Sequence, residues 1–384
     1  MICVTTNYPT TYTPFAGTFV RNTVQALRQL GVPVAVVSPV GIGRVIKHLL
    51  KPVRHTVTSD GEAPVVLALS TRWPRTRRLA AAWNERRFTR AIVHSSVVDT
   101  VNDRVVVYAH FVASARAALR AMPGTPVIAV VGESDPWDYD ESLGTDWPKT
   151  LLACAAVVAV SQTLHEYLRS RCPALGDRLH LIANGVDTDQ FRPQSREACR
   201  RALGLSLDAR IVLFVGTLEE RKGPYRVLAA ARMVGAKCAF LGSGHQRPDG
   251  EDVLTVGAAS PDTVRQWMGA ADCFVLPSLS EGRSNAVLEA LASGLPVVVS
   301  DRPFSREFVT EHCGAFVEPL SESSIAEGIR RALDPDAAGA MRIAARAVAE
   351  SLSMAARAQR LQSLFESVAQ TAYGDLPGAR VPDR

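Results

Sequence analysis

Two glutamates, Glu281 and Glu289, stand eight positions apart around the expected start of a short helix. Ser284 is a candidate N-cap residue and Gly294 lies where the helix must stop, so Glu281 precedes the helix and Glu289 lies on it. Helix N-termini bind anions, because their first backbone N–H groups have no partner within the helix. Carboxylates at this place could contact the polar groups of a ligand bound there.

The segments on either side of this helix are strand-like. The run 273–277 leads into the turn, and 297–300 follows as the next strand. Together they form a β-loop-α-β unit of a parallel sheet, whose ligands sit at the carboxyl ends of the strands. A bare E-x7-E spacing occurs often by chance on exposed helices, so the surrounding sequence has to decide whether the pair is functional.

That surrounding sequence is PSLSEGRSNAVLEALASGLPVV, at 277–298. It resembles the nucleotide-sugar site of retaining glycosyltransferases of family 4. The resemblance implies that Glu281 is catalytic and contacts the sugar hydroxyls, while Glu289 holds the nucleotide ribose. It also implies that the backbone between them meets the sugar and the diphosphate. The implied donor-binding residues here are Gly282, Arg283, Ser284, Asn285, Ala286 and Glu289.

A second segment, VGTLEERKG at 215–223, looks like the family's VGxLxxxKG loop. Lys222 takes the position of the lysine that faces the donor phosphates. Departure of a nucleoside diphosphate builds negative charge on the β-phosphate, and a fixed ammonium lowers that cost. Gly216 and Thr217 belong to the same donor loop. Many relatives have an arginine where this chain has Thr217, so Arg221 is the candidate for a second positive charge.

The N-terminal loop 7–21 resembles the family's first glycine-containing loop, which abuts the donor phosphates and the acceptor. Gly17 allows the backbone to approach a ligand closely. The helix that starts near Thr18 presents its N-terminus to anions. Gly17 is therefore an expected donor-binding residue.

The family often carries a histidine, in the pattern HGxD, near the transferring sugar. The matching segment 130–137 contains no histidine, and Glu133 or Asp135 are the candidates that replace it. His110, at the end of the preceding predicted strand, is another candidate near the sugar and the acceptor. Most lone histidines at such places are structural.

Strand and helix signals alternate along the whole chain, which predicts an α/β architecture with parallel sheets. The resemblance implies the GT-B fold, with two Rossmann-like domains facing a deep cleft. We expect an acceptor-binding domain over 1–190, a donor-binding domain over 191–372 and a disordered tail over 373–384. The predicted strands are 2–5, 33–37, 65–69, 105–109, 127–131, 157–160, 179–182, 211–215, 238–241, 253–256, 273–276 and 297–299.

Composition fits a globular enzyme, with 47% hydrophobic and 21% charged residues in a chain of 384. The longest apolar stretch, 151–160, is shorter than the roughly 18 residues that cross a bilayer. The start of the chain reads as a buried strand and lacks a signal peptide, so a cytoplasmic protein is expected. The seven cysteines are scattered and form no C-x-x-C pair, which indicates neither disulfides nor a zinc site.

Positive charge is concentrated at the front of the chain. Residues 1–98 hold 13 basic and three acidic side chains, although the whole chain has a net charge of only +5. The segments 44–51 and 72–78 mix cations with apolar residues, as interfacial membrane contacts do, and a solvated basic face is an equal alternative. No nucleic-acid-binding motif accompanies the charge. An anionic partner is expected, such as the inner face of a membrane.

Two Asp-x-Asp pairs, at 187–189 and 138–140, lie in turns or loops and are interpreted as structural, so no metal cofactor is expected. The G-x-G at 242–244 lacks the third glycine of a dinucleotide fingerprint, because Arg247 stands in its place. No P-loop motif or nucleophile elbow is present. The sequence therefore does not favour a dehydrogenase, an ATPase or a hydrolase.

The sequence therefore predicts a metal-independent, retaining glycosyltransferase that uses a UDP- or GDP-sugar. The expected acceptor is a glycan or lipid-linked intermediate of polysaccharide or glycolipid biosynthesis. A soluble small-molecule acceptor is the second choice. A nucleotide-sugar epimerase of the same architecture and a non-catalytic sugar-nucleotide-binding protein remain alternatives, which product analysis and turnover assays would separate.

Overall fold

The computed structural model describes residues 1–5, 8, 17–41, 65–70, 86, 89, 92–93, 104–132 and 146–374. Contacts divide the chain into two units. Unit 1 comprises Met1–Ala183 together with Arg357–Arg384, and unit 2 comprises Asn184–Ala356. Each unit is a parallel sheet with helices, which confirms the predicted α/β class.

The sheet of unit 1 is built from strands whose residues are almost entirely apolar, as expected when both faces are covered by helices. The strands are β1 Ile2–Thr5, β2 Ala35–Gly41, β3 Val65–Ser70, β4 Val107–His110, β5 Val127–Val131, β6 Ala156–Ala159 and β7 Leu179–Leu181. In the described residues their order is β3-β2-β1-β4-β5-β6-β7, with every pairing parallel. The order reverses between β1 and β4, where Thr5 pairs with His110 at the carboxyl ends.

The helices of unit 1 follow the apolar periodicity of the sequence. They include α1 Thr18–Gln29, α2 Val112–Ala121, α3 Trp147–Leu152 and α4 Gln162–Arg171. In α1, Val20, Val24 and Leu27 are fully buried. The helix ends before Gly31, which adopts a left-handed φ of 80°. The predicted start, buried stripe and stop of this helix are confirmed.

Unit 2 contains a second parallel sheet. Its strands are β8 Ile211–Val215, β9 Lys237–Leu241, β10 Val253–Gly257, β11 Cys273–Leu276, β12 Val297–Ser300 and β13 Gly314–Val317. Their order is β10-β9-β8-β11-β12-β13, so the direction of winding switches between β8 and β11. In open parallel sheets, ligands bind at the carboxyl ends beside such a switch. The edge strand β13 was not among the predicted strands.

The helices of unit 2 surround this sheet. They are α5 Arg196–Ala202, α6 Pro224–Arg232, α7 Pro261–Ala270, α8 Asn285–Ala292, α9 Pro303–Arg306, α10 Glu322–Leu333 and α11 Pro335–Ser351. Short helix α8 connects β11 to β12, as the β-loop-α-β prediction requires. Its apolar residues Val287, Leu288 and Leu291 are buried. Gly294, with a φ of 69°, follows its end.

The last helix, α12 Met354–Tyr373, changes the predicted domain division. The side chain of Arg357 donates to the carbonyls of Ile182 and Ala183, and Tyr373 donates its hydroxyl to Val105 O over 2.8 Å. Residues 357–372 therefore belong with unit 1, although they were assigned to the second domain. Residues 184–190 belong with unit 2, because the backbone of Val186 is hydrogen-bonded to 352–354.

All seven cysteines are buried and unpaired. Among the described residues, no helix has both the length and the apolar character needed to cross a membrane. The basic segments 44–51 and 72–78 lie outside the described residues, as does the tail beyond Gly374.

Candidate active site

The structure brings together the two residues predicted to be catalytic. Lys222 ends a short 3-10 turn after β8, and Glu281 lies in the loop between β11 and α8. Because β8 and β11 are neighbours, the loops at their carboxyl ends meet. Lys222 Nζ lies 2.7 Å from Glu281 Oε1, and both side chains are largely buried, with 13% and 7% exposed. Ser278 donates its hydroxyl to the same carboxylate oxygen over 2.7 Å.

Arg221 joins the same two loops. Its guanidinium donates to Ser280 O and, over 2.7 Å, to Glu219 Oε1. It also lies 3.8 Å from Glu281 Oε1. Its carbonyl accepts a 2.8 Å hydrogen bond from Leu279 N. The predicted second cation is therefore present beside Glu281, while Thr217 is an exposed residue of the same loop.

Two glycines in the loop after β9 allow its backbone to pack closely against the loop after β8. A Cβ on Gly242 would stand 1.8 Å from Gly216 O, and a Cβ on Gly244 would stand 2.1 Å from Leu218 O. Neither glycine could be replaced without moving the loop that carries Lys222. The G-x-G that does not complete a dinucleotide fingerprint thus serves close backbone packing under the candidate site. Gly216 is the contact point in the donor loop.

The N-terminus of α8 has no side-chain cap in the described part of the chain. Ser284 occupies the N-cap position, as predicted, but its side chain accepts no capping hydrogen bond from the helix. The first turn, which includes Asn285 and Ala286, therefore has no side-chain cap. Gly282 is buried beside it. The guanidinium of Arg283 lies 4.8 Å from the centroid of the Phe308 ring.

Glu289 lies one turn inside α8 and is partly buried. Burial raises the pKa of its carboxyl group to about 8, and the charge of Arg265 opposes this shift only in part. A carboxylic acid with such a pKa is mostly protonated at neutral pH. At neutral pH, Glu289 is therefore mostly a carboxylic acid that can donate a hydrogen bond as well as accept one.

In unit 1, two of the predicted residues lie at the switch between β1 and β4. Gly17 is the N-cap residue of α1, with a left-handed φ of 69°. His110 ends β4 with only 2% of its surface exposed, and neither ring nitrogen has a hydrogen-bond partner in the part of the chain described here. Burial, with a smaller contribution from the charge of Arg357, lowers the pKa of His110 to about 3. The imidazole is thus neutral.

His110 lies beside the end of β5, although it belongs to the neighbouring strand. Its Cε1 atom is 3.9 Å from the place that a Cβ on Gly132 would take. Gly132 belongs to the segment in which relatives carry their histidine. The next residue, Phe111, has a φ of 76°, a strained backbone for a residue with a side chain. Glu133 and Asp135 lie outside the described residues.

Sequence reasoning assigned no role to Ser278 or to the strain at Phe111. The serine stands in the PSxxEG motif three residues before Glu281, so a local signal existed for its contact. Nothing in the sequence marks Phe111, because aromatic residues rarely adopt positive φ and no pattern predicts it.

Asp187, the first carboxylate of the Asp-x-Asp pair at 187–189, stabilises a turn. Its Oδ1 accepts hydrogen bonds from the backbone N–H groups of Asp189 and Gln190, over 3.0 and 2.9 Å. Such an Asx turn explains the residue without a metal. Among the described residues, no group of three or more His, Cys, Asp or Glu side chains could hold a metal ion. The pair at 138–140 lies outside them.

A cavity of about 470 Å³ in unit 2 lies at the opposite end of α8, beside Ser293 and Gly294. Arg342 and Arg346 of α11 reach its wall and donate to carbonyls at the C-terminal end of α8, Gly294 O and Ala292 O. Basic side chains are favourable at helix C-termini. This cavity is separated from Lys222 and Glu281 by the length of the helix, so it is not the candidate active site.

Two family models match the chain, one in each half. Residues 16–190 match the model of Glycosyltransferase Family 4, and residues 195–348 match the model of Glycosyl transferases group 1. TuaC of Bacillus subtilis, provisionally assigned as a teichuronic acid biosynthesis glycosyltransferase, is 27% identical over 356 residues. That alignment covers 86% of this chain and 88% of TuaC.

Solved structures share the fold. Sucrose-phosphate synthase from Thermosynechococcus elongatus superposes with a TM-score of 0.80 at 19% identity, covering 96% of this chain and 99% of that one. HepE from Anabaena, solved in complex with UDP and glucose, has a TM-score of 0.70 at 15% identity over 95% of this chain and 98% of its own. The two matched models, the relative and these structures agree: the chain belongs to glycosyltransferase family 4 and has the GT-B fold.

Proposed function

We propose that this glycosyltransferase transfers a sugar from a UDP- or GDP-sugar to a hydroxyl acceptor, with retention of configuration at the anomeric carbon. The observation that carries the proposal is the buried Lys222–Glu281 pair beside the uncapped N-terminus of α8. It combines a cation, a carboxylate and free backbone donors at the carboxyl ends of two adjacent strands. HepE, which shares the fold, was solved with UDP and glucose, and this supports a nucleotide-sugar donor.

In the proposed reaction, Lys222 neutralises the charge that develops on the β-phosphate, and Glu281 orients the sugar. The bond between the anomeric carbon and the phosphate oxygen breaks, and the acceptor oxygen bonds to the same face of the sugar. A β-phosphate oxygen of the donor takes the proton of the acceptor hydroxyl, so the enzyme needs no covalent nucleophile. Positively charged groups held in a closed site are worth far more than they would be in water.

We propose the remaining donor contacts from the positions of Lys222 and Glu281. Backbone N–H groups from Gly282 to Ala286 would face the diphosphate, and Glu289 would bind the ribose hydroxyls. Gly216, Thr217 and Arg221 would complete the phosphate environment. Because Lys222 and Arg221 provide fixed positive charge where other transferases use a divalent cation, we propose that catalysis needs no metal.

For the acceptor, we propose a glycan or lipid-linked intermediate that binds unit 1 near His110, with Glu133 and Asp135 as further contacts. The excess of basic residues over 1–98 favours an anionic partner, and peripheral contact with the inner face of a membrane would bring such an acceptor within reach. The similarity to TuaC also favours polysaccharide biosynthesis. A soluble acceptor remains the alternative.

A ligand screen followed by product analysis tests the proposal. Thermal shifts would be measured with UDP, GDP, ADP and dTDP and their sugar derivatives, since a ligand that binds only the folded state raises the melting temperature. The best donor would then be incubated with candidate acceptors, and the anomeric configuration of the product read by NMR. An inverted product would refute retention, and epimerised donor without acceptor consumption would favour the epimerase alternative.

A further inference from the structure

A buried guanidinium lies directly behind the turn that carries Lys222. It belongs to Arg226, in the first turn of α6, and only 9% of the residue is exposed. Buried arginines need several hydrogen-bond acceptors to offset the loss of water. The acceptors that Arg226 uses belong to the two loops of the candidate active site.

The guanidinium of Arg226 is hydrogen-bonded to both of these loops. Its Nη1 donates to Glu220 Oε1 over 2.6 Å, and its Nη2 donates to Glu220 O over 3.1 Å. The same Nη2 lies 3.4 Å from Pro277 O, at the end of β11 and four residues before Glu281. One planar group therefore links the backbone of the Lys222 turn to the backbone that leads to Glu281.

Gly223 makes room for this guanidinium. The glycine follows Lys222 directly and adopts a left-handed φ of 71°. A Cβ at this position would stand 2.4 Å from Arg226 Nη2 and 2.6 Å from its Cζ. The guanidinium thus lies against the backbone of Gly223, directly after Lys222.

The carboxylate of Glu220, which accepts from Arg226, is also held by a second partner. Glu220 is 70% exposed as a side chain, yet both carboxylate oxygens are used. Oε1 accepts from Arg226, and Oε2 accepts a 2.6 Å hydrogen bond from Gln246 Nε2. The backbone N–H of Gln246 in turn donates to Leu218 O over 3.0 Å. Arg226, Glu220 and Gln246 form one network around the donor loop rather than an isolated surface pair.

We infer that Arg226 is a positioning residue, which holds the ammonium group of Lys222 where the donor's diphosphate binds. The inference rests on the proposed function of Lys222. Charged groups in a catalytic site act at full strength only when their geometry is fixed before the ligand arrives, and a displacement of about 1 Å costs about 100-fold in rate. In this proposal, Arg226 acts through the turn that carries Lys222 and not by direct contact with the substrate.

A double-mutant cycle tests this dependence, with UDP as the probe and its dissociation constant measured by calorimetry. Arg226→Met removes the guanidinium and keeps most of the stem, and Lys222→Met removes the ammonium. We expect Arg226→Met to weaken UDP binding by about 10-fold in the wild-type background and by less than about 2-fold in the Lys222→Met background, because coupled residues are not additive. Arg226→Lys, which keeps the charge but cannot make the forked contacts, should recover only part of the loss.

Two further variants show whether misfolding, or the loss of any arginine on α6, could explain the result. Glu220→Ala changes an exposed side chain, removes the partner of Arg226 and should weaken UDP binding by about 3-fold, again only when Lys222 is present. Arg232→Met serves as the matched control, because Arg232 lies on the same helix but pairs with Asp252 on the surface. It should bind UDP as the wild type does.

The outcomes separate the inference from the proposed function. If the wild type binds none of UDP, GDP, ADP and dTDP, the proposed function fails and the inference with it. If Lys222→Met weakens UDP binding while Arg226→Met and Glu220→Ala bind it normally, the function stands and the inference is wrong. Equal losses from Arg226→Met with and without Lys222 would also overturn the inference, because Arg226 would then act independently of the lysine.

Discussion

The protonation of Glu289 makes the stability of the protein depend on pH in an unusual direction. Burial raises the pKa of this carboxyl group from 4.5 to about 8 in the folded state. Between these values the folded protein keeps a proton that the unfolded chain has released. The stabilising contribution is therefore fully present below pH 4.5 and is lost as the pH rises towards 8. Most carboxylates in folded proteins act in the opposite sense.

The size of the effect follows from the linkage relation. Each pH unit between the unfolded and folded pKa costs about 1.4 kcal/mol of unfolding free energy, so the whole interval amounts to as much as about 5 kcal/mol. In Glu289→Gln the side chain is neutral at every pH, and this contribution disappears. Relative to the wild type, the variant should become progressively more stable from pH 5 to pH 8.

Urea unfolding of the wild type and of Glu289→Gln at pH 5, 6, 7 and 8 measures this difference. Glu327→Gln is a suitable control, because Glu327 is an exposed residue of α10 that pairs with Arg330 on the surface. The reasoning is refuted if the two proteins show parallel pH profiles, or if the wild type gains stability over Glu289→Gln as the pH rises. A ribose that binds the ionised carboxylate would also release a proton, which calorimetry in buffers of different ionisation enthalpy detects.

Three further predictions concern the charged groups of the enzyme. Lys222→Ala and Glu281→Ala should each reduce transfer by about 100-fold or more. Each should also lower the melting temperature, because the remaining charge is buried and loses its nearest oppositely charged partner. The double variant should recover part of that loss, and an additive double variant would contradict the pairing. EDTA should leave the transfer rate unchanged, and loss of activity that manganese restores would refute metal independence. Co-sedimentation with anionic liposomes should fall with salt and with replacement of Arg75, Arg77 and Arg78 by glutamate, since each surface cation near a bilayer contributes about 1 kcal/mol; equal sedimentation of both proteins would favour a soluble acceptor.

The elements that the sequence predicted best are those whose local signals agree with their burial. In α1, the apolar spacing, the glycine before Thr18 and the stop at Gly31 all point to the same helix, and the structure has it. Glu281 and Lys222 were also identified individually, because both residues stand in motifs that follow strands, but their direct contact was not predicted. Their roles in the reaction remain predictions.

Other features depend on contacts between distant segments and left no local signal. Strand β13 has only four residues and begins with Gly314, whose missing side chain allows the backbone of Val297 to approach. The role of Arg226 requires Pro277, which is 51 residues away in the sequence. The return of α12 to unit 1 could not be read from its helical pattern, which shows that an apolar face exists but not which sheet it covers.

The return of α12 gives the chain an order of assembly during synthesis. Unit 2 is continuous in sequence and holds all of its strands by the time residue 356 has left the ribosome. Unit 1 begins first but is completed last, because Tyr108 in its central strand waits for Phe365 of the final helix, whose ring lies 5.5 Å away. At elongation rates of about 5 to 20 residues per second, the older unit keeps this apolar surface uncovered for roughly 10 to 35 s. Ribosome-bound chains in which residue 356 has emerged and the rest of α12 is still inside the ribosome should therefore contain a protease-resistant unit 2 and a unit 1 that chaperones still bind.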